Sequence, residues 1–393
     1  MLRTLTPSIL RPLLRSAIPA PDPSFVAEFA NGQFGGMAIT RATTATYFDA
    51  SGVLQTAASG AMRIDHNPTT GARLGLLREP ARTNRALWNR DLTDASWTKS
   101  NVTAAKDVVG IDGVANSASS LLATAGNGTC LQAITHTSTL RTFAPYVKRL
   151  VGTGGVEITL DNGGSWTAIT SSINSTTWSR VSLSGTLANP TIGFRLVTNG
   201  DKIAVDFAGV EDGHCATSPI ATTTVAATRN ADAITVSSAA FGAAWNATEG
   251  TILVSFSMSV APPASSFPVI LSANDGTANE RVSMSITETS GALNFGITDG
   301  GVVQATCAIS GVASYAGAML RLVGAYKLND IRSAASTGAL ATQDTSATLP
   351  TVTQLQLGDQ AGGSAPVTPI HFRRLAYWPF RLPDATLVSL ATA

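Results

Sequence analysis

The side chains that could perform acid–base chemistry in this 393-residue chain are three neighbouring acids, Asp206, Glu211 and Asp212. A glycosidase needs two carboxyl groups at a fixed separation across the sugar bond that it cleaves. These three acids lie at the end of a strand-like run and in the turn that follows, which favours a solvated loop. The sequence also has no GxSxG motif for a serine nucleophile. We therefore predict no catalytic residue and expect that the protein is not an enzyme.

Four histidines and three cysteines are the remaining candidates for metal or nucleophile chemistry. They are scattered along the chain, with neither the CxxC spacing of a zinc site nor the pattern of a disulfide framework. We predict that Cys130, Cys215 and Cys307 are unpaired and pack as small buried hydrophobic residues. Loop carboxylates at residues 274–276, 298–301 and 328–330 could contribute to a calcium site, although calcium needs six to eight oxygen ligands. No cofactor is predicted, with calcium kept as an alternative.

Three aromatic residues are candidates for binding a carbohydrate: Trp166, Trp178 and Tyr315. Sugar rings stack on aromatic faces, while nearby polar side chains supply hydrogen bonds. Trp166 follows an Asn-Gly turn and Trp178 begins the next strand, so we expect both at one rim of a β-sandwich. Tyr315 lies in a loop rich in Gly and Ser. The alternative is that each ring covers a small hydrophobic core, as we expect for Trp97 and Trp378.

The composition excludes several partners. Lys and Arg total 26 and Asp and Glu total 25, so a net charge of +1 provides no cationic surface for nucleic acid. No stretch approaches the about 20 apolar residues of a membrane helix, so membrane insertion is not predicted. Charged residues make up 13% of the chain, against a usual share of about 25%. The start resembles a signal peptide, but Arg11, Pro12 and Arg15 interrupt its apolar core, so none is predicted.

The elements that must position these residues follow a two-residue period. Residues 251–260 alternate Ile252, Val254, Phe256 and Met258 with mostly hydroxyl-bearing residues, and similar runs recur along the chain. Alternation with this period is typical of strands that have one buried and one solvated face. The sequence therefore predicts an all-β fold made of antiparallel β-sandwiches.

Turn-forming residues between such runs predict four hairpins, at residues 49–52, 68–71, 162–163 and 199–200. The last is the strongest sequence signal, because Asn199-Gly200 separates two clearly alternating runs. One short helix is expected at residues 382–391. In that helix Asp384 would be the N-cap, and Leu387 and Leu390 would face inward.

Shifts in composition divide the chain into five parts. The predicted parts are an extended N-terminal arm (1–24), a small β-rich region with a connector (25–88), a first sandwich (89–215), a Thr-rich linker (216–232) and a second sandwich (233–393). Prolines prevent a long helix in the arm. The arm is apolar without being long enough to bury its own side chains, which are Leu2, Leu5, Ile9, Leu10, Leu13 and Leu14 among others. We expect these residues to anchor the chain on a neighbouring subunit, the alternative being a disordered leader.

Four segments carry a resemblance to structural proteins of tailed-phage virions. NRDLTDASWTKSNVT (89–103) resembles the opening strand of jelly-roll, carbohydrate-binding-module-like domains, and residues 205–232 resemble their closing strand and exit linker. Residues 40–84 are similar to a segment that precedes such domains. Residues 320–390, which include QLQLGD and IHFRRLAYWPFRLPDATLVSL, resemble a concanavalin A-like or laminin-G-like sandwich.

This resemblance implies a head-fibre, spike or tail-fibre component located in the virion. It further implies a homo-oligomer that contacts other capsid or tail proteins through the arm and presents weak binding surfaces to a host glycan. Two alternatives stay open. One is a carbohydrate-active enzyme, such as a depolymerase, or its accessory binding module; the other is a bacterial surface adhesin.

Overall fold

The computed structural model describes residues 20–236, 238–263, 266–287, 290–312, 314–361 and 368–393. Strands account for 45% of the chain and helices for 5%, and the antiparallel sheets form sandwiches, which confirms the all-β prediction. The six arm residues predicted to act as an anchor, Leu2 to Leu14, lie outside the described residues. Within the described part of the chain, no helix has the length and apolar character needed to cross a membrane.

The strands fall into three consecutive groups. The N-terminal group contains β1 (Phe25–Glu28), β2 (Met37–Thr40), β3 (Ala45–Phe48), β4 (Leu54–Ala57), β5 (Ile64–His66) and β6 (Arg73–Arg78). The middle group contains β7 (Arg82–Asn84), β8 (Thr98–Ser100), β9 (Val102–Val108), β10 (Ala118–Ala123), β11 (Gly128–Ala133), β12 (Thr139–Phe143), β13 (Tyr146–Val151), β14 (Val156–Thr159), β15 (Thr167–Ala168), β16 (Ser179–Arg180), β17 (Leu183–Leu187), β18 (Thr191–Leu196), β19 (Lys202–Asp206), β20 (Val210–Asp212) and β21 (Ala227–Arg229). The C-terminal group contains β22 (Ala233–Val236), α1 (Ser238–Gly242), β23 (Glu249–Met258), β24 (Val269–Asn274), β25 (Arg281–Ile286), β26 (Leu293–Asp299), β27 (Val302–Ile309), β28 (Leu320–Lys327), β29 (Arg332–Ala335), β30 (Gln354–Leu357), β31 (Ile370–Trp378) and α2 (Asp384–Thr392).

The first and third groups together build one sandwich, which we call the composite sandwich. One of its sheets has the order β29-β28-β23-β31-β6-β5, with β1 also paired to β31. The other has the order β2-β22-β30-β24-β25-β26-β27. Alternate residues of both sheets, such as Phe256 on β23 and Phe295 on β26, meet in a shared core. The region 25–88, which the sequence sets apart as a separate part, therefore supplies strands from its residues 25–78 to the C-terminal sandwich.

The middle group forms the inserted sandwich. Its three sheets have the orders β16-β13-β19-β10-β9, β15-β14-β18-β11-β8 and β17-β12-β20-β7-β21. Trp97, Phe143 and Phe194 form the centre of its core, where both the Trp97 and Phe194 rings are fully buried. This burial confirms the prediction that Trp97 is a core residue.

Three of the four predicted hairpins are confirmed, by the pairs β3–β4, β5–β6 and β14–β15. The hairpin predicted at Asn199-Gly200 is wrong, because β18 and β19 pair in different sheets of the inserted sandwich. Of the two turn residues, only Gly200 has a positive φ, so the turn is not type I′. The alternating pattern predicts both of these strands correctly. It cannot predict which sheet a strand joins, because the strands of every sheet have an apolar inner face.

The C-terminal helix α2 covers the outer face of the composite sandwich. Leu387 is fully buried there against Leu253 and Trp378, as the sequence predicts. The predicted N-cap at Asp384 is wrong, since Pro383 holds that position. Asp384 lies in the first turn instead, where its carboxylate pairs with Arg381 at 2.7 Å.

The Thr-rich segment 216–232, which we call the bridge, is tied to the N-terminal region by buried ion pairs. Asp232 accepts hydrogen bonds from Arg41 at 2.7 Å and from Arg63 at 2.5 Å. Glu79 pairs with Arg63 at 2.6 Å and with Arg229 at 2.7 Å. All five side chains are at most 2% exposed, and we call them the charged cluster. The bridge is therefore held in place along its final residues, unlike an exposed linker.

Candidate functional site

A cleft of about 530 Å³ lies where the inserted sandwich meets the composite sandwich. The inserted sandwich contributes residues at the start of β13 and in the segment 174–180 that leads into β16. The composite side contributes the β3–β4 hairpin, β5 and the start of β31, and bridge residues 216–219 complete the lining. Each sandwich has its own core, and the cleft is the space that remains between their two facing surfaces.

The aromatic part of the cleft is formed by Trp178, Tyr146 and Phe48. The Phe48 and Tyr146 rings meet edge to face, with centroids 6.1 Å apart. Trp178 is half-buried against the small cluster that contains both rings, and Nζ of Lys148 lies 5.1 Å from its ring centroid. Burial raises the pKa of the Tyr146 hydroxyl, so this phenol stays protonated at neutral pH. The resulting surface is apolar, rigid and accessible at Trp178.

Two histidines and a carboxylate line the cleft from the composite sandwich. Nε2 of His371 lies 2.9 Å from Oδ2 of Asp65, and Oδ1 of Asp65 accepts the Phe48 N–H at 2.8 Å. Nδ1 of His66 lies 3.0 Å from the Phe48 carbonyl oxygen. Because a carbonyl oxygen can only accept, this nitrogen of His66 carries the hydrogen. These contacts fix the orientation of all three side chains before any ligand arrives.

A second carboxylate at the cleft, that of Glu79, belongs to the charged cluster. Burial alone would raise the pKa of Glu79, but the guanidinium groups of Arg229 and Arg63 outweigh that effect and hold it below its ordinary value. Ser218 also donates to both carboxylate oxygens, each at 2.6 Å. Glu79 therefore stays ionised with its charge balanced by arginines, which makes it a poor proton donor to a ligand.

Arg180 is the exposed cationic side chain of the cleft. It lies on β16 directly opposite Tyr146 of β13, and its Cζ is 5.2 Å from the Tyr146 ring centroid. Among the described residues it forms no ion pair. Polar groups of Asn174 and Thr177 lie on the same side of the cleft, in a turn that the Asn174 side chain closes by accepting the Thr177 N–H at 2.8 Å.

The structure separates the three aromatic residues that the sequence singles out, and only Trp178 lines the cleft. Trp166 lies beside β15, in a different sheet, where Cζ of Arg195 stands 4.5 Å from its ring centroid. Asn162 and Gly163 both have positive φ in the turn before it, as a type I′ turn requires. Tyr315 packs against the core of the composite sandwich, and its hydroxyl donates to the Gly291 carbonyl.

The three neighbouring acids are structural, and the expected solvated loop is wrong. Asp206 is fully buried at the end of β19 and pairs with Arg90 at 2.7 Å. Glu211 is buried on β20, where its Oε2 accepts the Thr217 hydroxyl at 2.6 Å. Asp212 pairs with Arg85 and Arg141, both at 2.9 Å. Such partners were not visible in the sequence because the arginines lie 71 to 127 positions away along the chain.

Metal-binding side chains do not converge in the described part of the chain: no group of three His, Cys, Asp or Glu residues there could hold an ion. The loop carboxylates considered for calcium already have partners within the protein. Asp275 accepts the Thr277 N–H at 2.8 Å, and Asp299 accepts the Thr348 hydroxyl. The cysteines at positions 130, 215 and 307 are free and buried, so the prediction that they pack as hydrophobic residues is confirmed.

Sequence patterns could not have identified the other residues of the cleft. Tyr146 and Arg180 come together by pairing across β13 and β16, and Asp65 meets His371 from the far end of the chain. The only local signal was the Trp178 position, between a polar turn and a strand.

No protein-family model matches this chain, and no curated protein matches it. Solved structures that resemble part of it include the CBM40 of the Ruminococcus gnavus IT-sialidase bound to α2,3-sialyllactose, at 17% identity over 37% of this chain and 84% of that one, with a TM-score of 0.31. The leech intramolecular trans-sialidase matches at 18% identity over 38% of this chain and 24% of that one, with a TM-score of 0.32. The receptor-binding domain of botulinum neurotoxin type G matches at 7% identity over 41% of this chain and 39% of that one, with a TM-score of 0.32. These are partial resemblances, and the function proposed below rests on the geometry of the cleft.

Proposed function

We propose that this chain binds a glycan in the cleft between its two sandwiches. The observation that carries the proposal is the accessible face of Trp178, held beside Tyr146 in a concave site of about 530 Å³ with fixed polar groups. Concave sites of roughly 300–1,000 Å³ that combine aromatic walls with a few oriented polar groups are the usual form of a small-ligand site.

The chemistry of the lining suits a sugar. The C–H groups of a pyranose pack on an indole face, and its hydroxyls need donors and acceptors at the ring edge. Asn174, Thr177 and Ser179 lie in the cleft next to Trp178 and supply such groups. Because Asp65 and its histidine partner already bond each other, the ligand meets a preorganised wall and orders few side chains on binding.

Binding without cleavage is part of the proposal. A glycosidase needs one protonated and one ionised carboxyl group that both reach the sugar bond. In this cleft Asp65 is paired with His371, and Glu79 is enclosed by arginines. Neither carboxyl group is positioned as a free acid or base, which supports a binding protein over a depolymerase.

We place this activity on the surface of a phage-type virion, in a homo-oligomeric fibre or spike that contacts other virion proteins through its arm. The support is the resemblance of residues 89–103 and 320–390 to virion proteins and the low charge of the chain. A site with one stacked aromatic ring binds weakly, and repeated copies on a particle raise avidity by about 10²- to 10⁴-fold. Detection of the chain in purified particles by mass spectrometry would test this placement, and its absence there would refute it.

The test of the site is a matched pair of tryptophan variants. Binding to a glycan array and by isothermal titration is measured for the wild type, Trp178→Ala and Trp166→Ala. We expect Trp178→Ala to lower affinity about 5- to 150-fold, since a stacked aromatic ring contributes roughly 1–3 kcal/mol. Trp166→Ala, which removes an equally large ring outside the cleft, should bind as the wild type does.

Equal loss in both variants, or no glycan binding by the wild type, would contradict the proposal. Release of reducing ends from a bound polysaccharide would favour the depolymerase instead.

A further inference from the structure

The cleft is the central part of a longer groove. A depression of about 260 Å³ shares Phe48, Tyr146 and Trp178 with it, and one of about 390 Å³ shares Arg180 and Ser259. Because these depressions share lining residues, they adjoin one another, and we call the three together the groove. Trp178 stands at one junction and Arg180 at the other.

The ends of the groove are polar and rich in hydroxyl groups. The smaller depression contains Thr69 and Thr177, and the other contains Thr142, Ser182 and Ser184. A single sugar ring would leave most of these groups unused. An extended chain of several rings would bring hydroxyls to all three depressions.

The charge of the groove is unbalanced at Arg180. The two carboxylates of the central cleft, Asp65 and Glu79, are already paired with His371 and with buried arginines. Burial raises the pKa of Glu211 and the charge of Arg180 opposes that rise, yet in the described part of the chain Glu211 forms no ion pair with Arg180 and instead accepts hydrogen bonds from Thr217. An exposed guanidinium beside a ligand groove therefore remains available to an anion.

We infer that the groove binds an extended oligosaccharide that carries carboxylate groups, with Arg180 binding a carboxylate while Trp178 stacks on a neighbouring sugar. This inference rests on the proposed function and adds the charge and the length of its ligand. A guanidinium offers two parallel N–H groups that match the two oxygens of a carboxylate.

The experiment uses full-length protein and pairs of octasaccharides that differ only in charge. Oligogalacturonate and oligomannuronate are titrated beside their methyl esters, which keep the rings and remove the anionic groups. We expect tighter binding of at least one acid over its own ester, and a loss of that preference as NaCl rises from 50 to 500 mM, because salt screens the pairing of an exposed arginine. The corresponding monosaccharide should bind far more weakly than the octasaccharide.

Arg180→Gln should reduce affinity for the acid about 10- to 100-fold and reduce affinity for the ester much less, because hydrogen bonds to a charged group contribute more than neutral ones. Arg195→Gln is the matched control. Arg195 also stands over an aromatic ring of the inserted sandwich but lies outside the groove, so this variant should bind both ligands as the wild type does.

The outcomes separate this inference from the proposed function. Equal binding of acid and ester, abolished for both by Trp178→Ala, would overturn the inference and leave glycan binding intact. Equal affinity for the monosaccharide and the octasaccharide would overturn the extended ligand. Failure of the wild type to bind any of the acids or esters would overturn the inference, and failure on the glycan array as well would overturn both.

Discussion

Replacing Asp232 with Asn tests how strongly the charged cluster fastens the bridge. The carboxylate of Asp232 accepts three hydrogen bonds, from Arg41 at 2.7 Å, from Arg63 at 2.5 Å and from the Glu79 N–H at 2.8 Å. The Asn side chain has the same size and keeps one acceptor oxygen. Its NH₂ group, however, would face arginine or backbone N–H groups, which can only donate. The cluster would also change from three arginines against two carboxylates to three against one.

The expected cost is about 3–5 kcal/mol of unfolding free energy, because removing one partner leaves buried charge uncompensated. The burial of these side chains decides this magnitude. An exposed ion pair that loses its partner costs only about 0–1 kcal/mol, since water replaces the missing charge. Asp107, whose side chain is 44% exposed and pairs with Lys202 at 3.3 Å, provides that comparison.

Urea unfolding followed by tryptophan fluorescence would be measured for the wild type, Asp232→Asn and Asp107→Asn. A shift in midpoint is expected for Asp232→Asn, and a shift near zero for Asp107→Asn. Limited proteolysis of the same samples should leave the bridge uncut in the wild type and cut it first in Asp232→Asn. If the two variants differ by less than about 1 kcal/mol, burial of the cluster does not control the stability of this junction.

Three further outcomes are expected. The pKa of Glu79 in the folded chain lies below its ordinary value of 4.5, so its ion pairs stabilise the fold fully above pH 4.5 and lose that contribution as the pH falls further. The difference in melting temperature between the wild type and Glu79→Gln should therefore become smaller in acid, and a constant difference would refute this. Burial raises the pKa of the three thiols to about 11 or 12, so iodoacetamide at pH 8 should leave the native protein unmodified. After unfolding in urea the same reagent should label three sites. Rapid labelling of the native protein would contradict this prediction. A chain that starts at Ala20 should melt as the full chain does yet fail to oligomerise, and normal assembly of that chain in sedimentation would exclude the anchor. A chain that starts at Phe25 should also lose about 1–3 kcal/mol of unfolding free energy, because the Trp378 indole N–H then loses its hydrogen bond to the Pro21 carbonyl at 2.6 Å.

The strands were predictable because their pattern is local. Ile252, Val254 and Phe256 alternate in the sequence and are fully buried in the composite sandwich. Their neighbours Thr251 and Ser255 are buried as well, because other parts of the chain cover the outer face of this sheet. Alternation gives the inner face of a strand, whereas the covering of its outer face depends on distant segments.

The groove was largely unpredictable for the same reason. Trp178 was singled out by its residue type, but Trp166 and Tyr315 have the same character and lie elsewhere. Nothing in the sequence around Arg180 distinguishes it from other surface arginines. Its importance comes from its place in the cleft without an ion-pair partner among the described residues, and that is visible only after the chain has folded.

The composite sandwich has a consequence for how the chain folds during synthesis. Strand β31 lies between β23 and the N-terminal strands β6 and β1, and Phe25 pairs with Tyr377. A ribosome adding roughly 5–20 residues per second needs about 15–60 s to make the segment between Arg78 and Ile370. During that time β6 has left the ribosome, but β31, its partner on one edge, has not yet been synthesised.

The inserted sandwich does not depend on a strand that is synthesised much later. Its sheets pair strands within residues 82–229, so it can close as soon as that segment leaves the ribosome. The apolar Leu76 and Leu77 of β6, both buried in the finished protein, stay uncovered until the last strand arrives. Long-range pairing of this kind folds slowly and exposes strand edges to other nascent chains. Messages truncated before Ile370 should therefore yield a folded inserted sandwich attached to aggregation-prone N-terminal strands.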